Sequence, residues 1–446
     1  MTVVRLRPPL RELAGGLAEV PGEGATVLEV LRALEAAHPR LRGWILDDRG
    51  EIRHHVAVFV DGERVEDDAP LVEGERMEIV GAVSGGSDDV ELLAGTRKGL
   101  FVLRGSRGGP LEIAGRSFAG QDVEYAIRDP RSGMYLAAVT HGQFGPRVFR
   151  SDDPTATEWE QTDGPRFPED TDASVERVWV ITPGEEPEVF YAGVAPAALF
   201  ESRDGGATWT LNRSLWDQPT RSEWQPGAGG LMVHTICTWP GRPETLLLGI
   251  SAVGVWLTDD GGATWRIGND GIVPRYLPEE ARAQPLGRCV HHVERSPVRP
   301  ERLFMQFHGG VYRSDDGGSS WTDVGGGLPS DFGFPIIADP VDPETAWVIP
   351  LNADRDRVTS DGQVRVFETR DAGRTWTARR DGLPDRGYLT ILRQAFCHDG
   401  GDPLGLYFGA TSGEVFGSAD SGRRWTPVGL NLPPVLSLRA SGSPEG

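Results

Sequence analysis

The pattern Ser/Thr-x-Asp-x-Gly-x-x-Trp occurs five times in a row: Ser202-Asp204-Gly206-Trp209, Thr258-Asp260-Gly262-Trp265, Ser314-Asp316-Gly318-Trp321, Thr369-Asp371-Gly373-Trp376 and Ser418-Asp420-Gly422-Trp425. A looser sixth copy joins Ser151 and Asp153 to Trp159. From Trp159 to Trp209, Trp265, Trp321, Trp376 and Trp425 the steps are 50, 56, 56, 55 and 49 residues, near the length of one four-stranded propeller blade. An alternating strand precedes each intact box (Leu199-Phe-Glu-Ser, Val255-Trp-Leu-Thr, Val311-Tyr-Arg-Ser, Val366-Phe-Glu-Thr, Val415-Phe-Gly-Ser), and another precedes that, as in Val189-Phe-Tyr-Ala-Gly. A third lies further upstream and ends near a proline. The first strand pair, from Val90, has no strand before it, while Val435-Leu-Ser-Leu-Arg-Ala follows the last box without a blade of its own. Seven blades, the last strand completing the first, would leave no open sheet edge.

Residues 1–86 read differently. Thr26 with Glu29 three positions on, and apolar residues at 27, 28, 30, 31 and 34, predict a capped amphipathic helix. An apolar-alternating strand precedes it at Val3 to Leu6. A hairpin turning at Asp61-Gly62 and a strand from Arg76 follow it. Strand, helix, hairpin and strand make a small α+β β-grasp domain. Ser84 to Asp89 carries no apolar side chain and reads as the border, which places the β-grasp domain at 1–86, a linker at 87–89 and the propeller at 90–446.

The stretches PPLRELAGG (8–16), VFVDGERVEDDAPLVEGERMEIV (58–80) and VSGG (83–86) resemble the MoaD/ThiS sulfur carriers, which are ubiquitin-like. The resemblance implies that Gly86 would carry the activated carboxylate with Gly85 beside it, and that an E1-like adenylating enzyme would be a partner. Because Gly86 is internal, a protease would first have to cut after it, or the domain is a retained docking module. The repeats of 88–446 resemble the Asp-box (BNR, sialidase-like) propellers. In that family the box aspartates, here Asp204, Asp260, Asp316, Asp371 and Asp420, are structural and lie on the face opposite the active site.

With 45 basic and 66 acidic residues the formal charge is −21, which opposes nucleic acid and anionic membrane surfaces as partners. Cys237, Cys289 and Cys397 are too few and too scattered for a disulfide framework or a Cys-x-x-Cys metal cage. No long apolar run opens the chain, so the expected location is cytoplasmic. Lys98 is the only lysine, which singles out its amine for anion contact or isopeptide chemistry.

If the boxes mark one face, the opposite mouth is built from the starts of the innermost strands and the second-to-third turns. Counting back six from the closing prolines Pro130, Pro183, Pro240, Pro297 and Pro340 gives Glu124, Arg177, His234, His291 and Phe334. The turns add Arg97, Lys98, His141, Ser251, Gln306, His308, Asn352 and Thr411. Five of nine histidines (His141, His234, His291, His292, His308) fall here, suited to acid/base work or metal ligation. His234, His291 and His308, with Glu176, form a candidate divalent-metal set. Cys289, two before His291, is a candidate nucleophile, with buried packing as the alternative. The sialidase resemblance implies a three-arginine carboxylate clamp, for which Arg97, Arg177, Arg288 and Arg393 are candidates, with Glu124 and Glu176 as carboxylates. The family's Phe/Tyr-Arg-Ile-Pro opening is absent, Tyr125-Ala-Ile-Arg128-Asp-Pro being nearest. Two functions are therefore expected: a carrier fused to a propeller that binds a small-molecule, glycan or protein ligand, or a glycosidase-like or metal-dependent hydrolase working at the propeller mouth.

Overall fold

The computed structural model describes residues 89–441 except 354, and within the first 88 residues 2–6, 10, 14, 17, 19–38, 41, 45–46, 50, 52, 56–60, 63–65, 69–72 and 74–81. The chain divides into two compact units, Met1–Asp88 with Gly400–Asp402 and Gly442–Gly446 in the first, and Asp89–Asp399 with Pro403–Ser441 in the second.

The first unit comprises β1 (Thr2–Leu6), β2 (Glu19–Gly22), α1 (Val27–Ala37), β3 (Val56–Val60), β4 (Glu63–Arg64) and β5 (Arg76–Gly81). The sheet order is β2-β1-β5-β3-β4, with β1 and β5 parallel and the other pairs antiparallel. Helix α1 buries Val27, Val30, Leu31 and Leu34 against Val4, Val20, Val58, Met77 and Ile79, the apolar stripe that its 3.6-residue spacing dictates. Thr26 Oγ1 accepts the Glu29 N–H at 3.3 Å, while the Glu29 carboxylate accepts the Ala25 N–H at 2.8 Å. The reciprocal cap thus reaches one residue further out than the Thr26 backbone. The turn Asp61-Gly62, most of 8–16, and Gly85 with Gly86 lie outside the described residues.

The second unit is a propeller-like β body. Among the described residues it holds seven four-stranded antiparallel sheets, six of them made of strands consecutive in the chain. In the remaining sheet Val435–Ala440 pairs with Asp89–Thr96, followed by Gly99–Ser106 and Glu112–Ser117. Its register runs from Val435 opposite Thr96 to Ala440 opposite Leu92. The other first strands are Asp122–Arg128, Arg177–Pro183, Val233–Trp239, Val290–Arg295, Gly333–Ala338 and Phe396–His398. Each touches the next, and Val435–Ala440 touches both Phe396–His398 and Asp122–Arg128. Close approach of neighbouring sheets requires glycine on second strands. A Cβ on Gly193 would lie 2.5 Å from the Val233 carbonyl, and one on Gly95 2.5 Å from that of Val123.

The five Ser/Thr-x-Asp-x-Gly turns share one hydrogen-bond plan, the fifth lacking only the second hydroxyl because Arg424 stands where the others have Ser or Thr. In the third, the Ser314 hydroxyl donates to Asp316 Oδ1 at 2.8 Å and accepts the buried Gly318 N–H at 2.9 Å. Asp316 also accepts the Ser320 N–H and hydroxyl, at 2.9 and 2.6 Å. Gly318 sits at φ +98°, where an L side chain is strained. Trp321 donates to the Gly268 carbonyl at 2.9 Å and Trp376 to that of Val324 at 2.7 Å, each just beyond the preceding sheet's outer strand, so the indoles tie sheet to sheet. The looser copy departs from this plan: Asp153 accepts from Thr155, two residues on, and Trp159 packs edge-on to Phe118. Ser314→Ala is expected to lower stability by about 1–2 kcal/mol, because it strands the buried Gly318 N–H. Urea unfolding checks this, and an unchanged midpoint would show that the turn does not depend on the hydroxyl. Among the described residues no helix is long and apolar enough to cross a membrane.

Candidate functional site

On six of the seven first strands the ladder skips a position: Glu124, Trp179, His234, His291, Phe334 with Pro335, and Leu436. A β-bulge turns its extra residue out of the pairing and re-aims the side chain, and here the bulges recur at equivalent points of neighbouring strands. The proline offset lands on four of them. On the second strand it lands on Arg177 instead of Trp179, because Pro183 lies within that strand and not beyond it.

Four of these bulges (Glu124, Trp179, Phe334, Leu436) line a cavity of about 340 Å³ together with Arg97, Arg177, Arg357, Arg393 and Gln394. The guanidiniums interleave with aromatic faces. Arg177 and Arg393 lie 4.9 and 5.4 Å from the Trp179 ring, and Arg393 and Arg357 lie 5.3 and 5.7 Å from that of Phe334. Glu124, 6% exposed, is the single carboxylate in the lining, with Arg177 Nε 3.0 Å from its Oε1. Burial pushes the Glu124 carboxyl above the usual glutamate range despite Arg177, and Asp122 adds to the rise. Burial also lowers Arg393 to about 10.

A second cavity of about 330 Å³ shares Gln394 and is lined by Tyr125, His234, His292, Glu294, His398 and Arg439 among others. Arg439 donates to Tyr125 Oη at 2.8 Å and to the Gln394 and Phe396 carbonyls at 3.1 and 3.2 Å. Gln394 in turn donates to the His234 carbonyl at 2.7 Å. Arg439, Tyr125 and Gln394 are thus joined to one another and to backbone carbonyls.

Several sequence candidates are placed elsewhere. His234 is fully buried with both ring nitrogens engaged, Nε2 on the Val290 carbonyl at 2.9 Å and Nδ1 on Thr235 Oγ1 at 3.0 Å, so it cannot complete a metal set. Glu176 is exposed and outside both cavity linings. His141 caps its own turn, Nδ1 accepting the Gln143 and Phe144 N–H groups. The Gln306 amide donates to the carbonyls of Phe307, Gly310 and Asp331, and Asn352 holds Asp356 at 2.7 Å. Arg288 is buried on the Leu286 and Arg282 carbonyls. Thr411 makes a backbone bond to Thr390. Lys98 is exposed and outside both linings, and His292 pairs with Glu294 at 2.9 Å on the second cavity.

A different trio does come together. One donor atom each from Cys289, His291 and His308 lie within 4.8 Å of one another. Cys289 and His308 are joined across the strand pair, the His308 N–H donating to the Cys289 carbonyl at 3.1 Å, and His291 is the bulge beside them. Burial, then Arg393, drives His291 well below the ordinary imidazole range, so the ring is neutral; burial raises the Cys289 thiol. Cys237 and Cys397 are buried and pushed up to about 12, which makes them packing residues.

Sequence reasoning missed Trp179, Arg357, Gln394 and Arg439. Gln394 occupies the position six before Gly400, where other strands have their proline. Arg357 has left-handed backbone (φ +49°) outside any repeat element, and no periodic signal marks it.

Residues 4–86 match the ThiS family model. The N-terminal unit is a ThiS-family domain. The ThiS-family domain is also similar to SAMP1 from Haloferax volcanii, 33% identical over 19% of this chain and 98% of that one, with a TM-score of 0.18. A xyloglucanase from Paenibacillus sp is 25% identical over 228 residues, 47% of this chain and 21% of that protein, so the match spans about a fifth of the relative's length. The crystal structure of an ancestral GH74 enzyme matches 79% of this chain and 40% of its own, at 15% identity and a TM-score of 0.47.

Proposed function

We propose that the body is a seven-bladed propeller, its ring closed by Val435–Ala440, that captures an anionic group in the cavity of Arg97, Arg177, Arg357 and Arg393. One observation carries this reading: four guanidiniums and one carboxylate line a cavity of about 340 Å³ in a chain whose formal charge is −21. Arginine's planar fork suits carboxylate, sulfate and phosphate oxygens, and the flanking Trp179 and Phe334 faces hold the Arg177, Arg357 and Arg393 guanidiniums in place.

Sulfate, a dianion throughout the working range, is the probe, measured by calorimetry on the full chain. Arg97→Ala and Arg357→Ala are each expected to weaken it about tenfold, one charged contact being worth about 1.4 kcal/mol or more. The pH dependence follows from Glu124. Its carboxyl titrates above the usual glutamate range, so lowering the pH neutralises it before an ordinary glutamate would be, removes one negative charge beside the anion and tightens binding. Glu124→Gln should bind at neutral pH as the parent does in acid, with a flat profile. Sulfate binding that is absent, or indifferent to all three substitutions, rejects the reading.

The ThiS-family domain supports a second element of the proposal, a carrier freed by cleavage after Gly86 and charged by an E1-like partner. Intact-mass measurement on protein from its own host tests it: a fragment ending at Gly86 supports release, and only full-length chain opposes it. The hydrolase reading rests on the stretch similar to a xyloglucanase and on Glu124 beside Asp122, a raised acid next to a second carboxylate. Xyloglucan turnover that is lost in Glu124→Gln would favour it over simple capture.

A further inference from the structure

The geometry points to a thiophilic divalent-cation site, best suited to zinc, formed by Cys289 Sγ, His291 Nε2 and a ring nitrogen of His308. The three donors are already gathered within 4.8 Å, a spread that side-chain rotation can contract onto one ion. One sulfur and two imidazoles are a borderline-soft set that favours zinc over magnesium or calcium.

The surroundings orient the ligands as metal sites require. His291 Nδ1 lies 2.5 Å from the Gly333 carbonyl. A carbonyl can only accept, so Nδ1 carries the proton and the lone pair is on Nε2. The Ser251 hydroxyl and the Ala252 N–H approach the Cys289 sulfur and partly offset the burial that raises its thiol. Tyr276 accepts the Cys289 N–H at 2.7 Å and packs its ring 4.4 Å from that of His308, fixing two of the three ligands at once. Binding exchanges the thiol proton for the metal: the S–H bond breaks, a sulfur–zinc bond forms and one proton leaves to solvent. Three protein ligands leave a fourth position for water or an anionic oxygen, the pattern of a site that can act on a ligand. The Arg393 Nε–H donates to the His291 carbonyl at 3.1 Å, so the trio lies one residue from the arginine cavity, yet it does not rest on anion capture there.

The test uses the full chain stripped with a chelator and titrated with zinc chloride, or with cobalt(II) chloride for its spectrum. One equivalent should bind, and cobalt should show thiolate-to-metal charge-transfer absorption together with four-coordinate ligand-field bands. Cys289→Ser should abolish the charge-transfer band and weaken zinc at least about tenfold; His308→Ala should weaken zinc similarly while keeping the band. His292→Ala, on the other cavity, should change neither. The cobalt spectrum of the unsubstituted chain needs no variant to fold. Absence of stoichiometric metal, a cobalt spectrum without thiolate absorption, or affinity unchanged in Cys289→Ser or His308→Ala would overturn the assignment.

Discussion

Removing residues 435–446 is expected to abolish cooperative folding of the body. The strand Val435–Ala440 is the pairing partner of Asp89–Thr96, and its Val435, Ser437 and Leu438 are fully buried. Deletion would cost the buried apolar side chains at about 1.5–3 kcal/mol each and the ladder hydrogen bonds at about 1 kcal/mol each. It would also open the edge of Asp89–Thr96 to solvent and to other chains. The sum is on the order of 10 kcal/mol, comparable to the whole stability of an ordinary domain. Every tryptophan but Trp44 belongs to the body, so tryptophan fluorescence during thermal unfolding reports this unit. A truncated chain that keeps its transition within a few degrees of the parent would show that the body does not need this strand.

Glu91→Ala should destabilise by about 3 kcal/mol, the lower end of what breaking a buried charge pair costs. Glu91 is fully buried and accepts from three directions: Tyr135 Oη at 2.8 Å, Arg104 Nε at 2.7 Å and Ser441 Oγ at 2.5 Å. Tyr135 belongs to the next sheet and Ser441 follows the strand Val435–Ala440, so one carboxylate joins three segments. Arg104 is 41% exposed and can turn to water, which keeps the cost from reaching the upper end. The hydroxyls cannot escape so easily. Glu91→Gln preserves shape and one acceptor, and about half of the loss is expected. Denaturant unfolding of both variants checks the order, and a Gln variant as unstable as the Ala variant would mean that charge, not geometry, dominates.

The repeat turns were legible because their chemistry is local. Ser314, Asp316 and Gly318 satisfy one another within five residues, so the residue types alone imply the turn. The bulges were partly legible for a related reason: Glu124, His234, His291 and Phe334 keep a constant distance from a proline near the strand's end. The count failed at Arg177, where the proline sits inside the strand, and had no proline to start from near Gln394, which lines both cavities without being a bulge. Polar residues at the second-to-third turns were a mixed guide: Arg97 lines the arginine cavity and His308 joins Cys289 and His291, whereas His141, Gln306 and Asn352 are taken up by nearby backbone or side-chain groups.

What the sequence by itself determined is therefore the set of elements: the β-grasp helix and strands, the period of the blades, the turn residues and most of the bulges. All of these follow from backbone hydrogen bonds and apolar alternation over a few residues. Only the tertiary structure decided which side chains meet. His234 and His291 occupy the same bulge position on neighbouring strands, yet a carbonyl and a hydroxyl engage both nitrogens of the first, while a donor atom of the second lies within 4.8 Å of one from Cys289 and one from His308. Arg357 and Arg393 come from separate parts of the chain and converge on Phe334 because a guanidinium on a long flexible stem reaches well beyond its own element. Such convergence depends on distances between strands far apart in sequence, which no local pattern encodes.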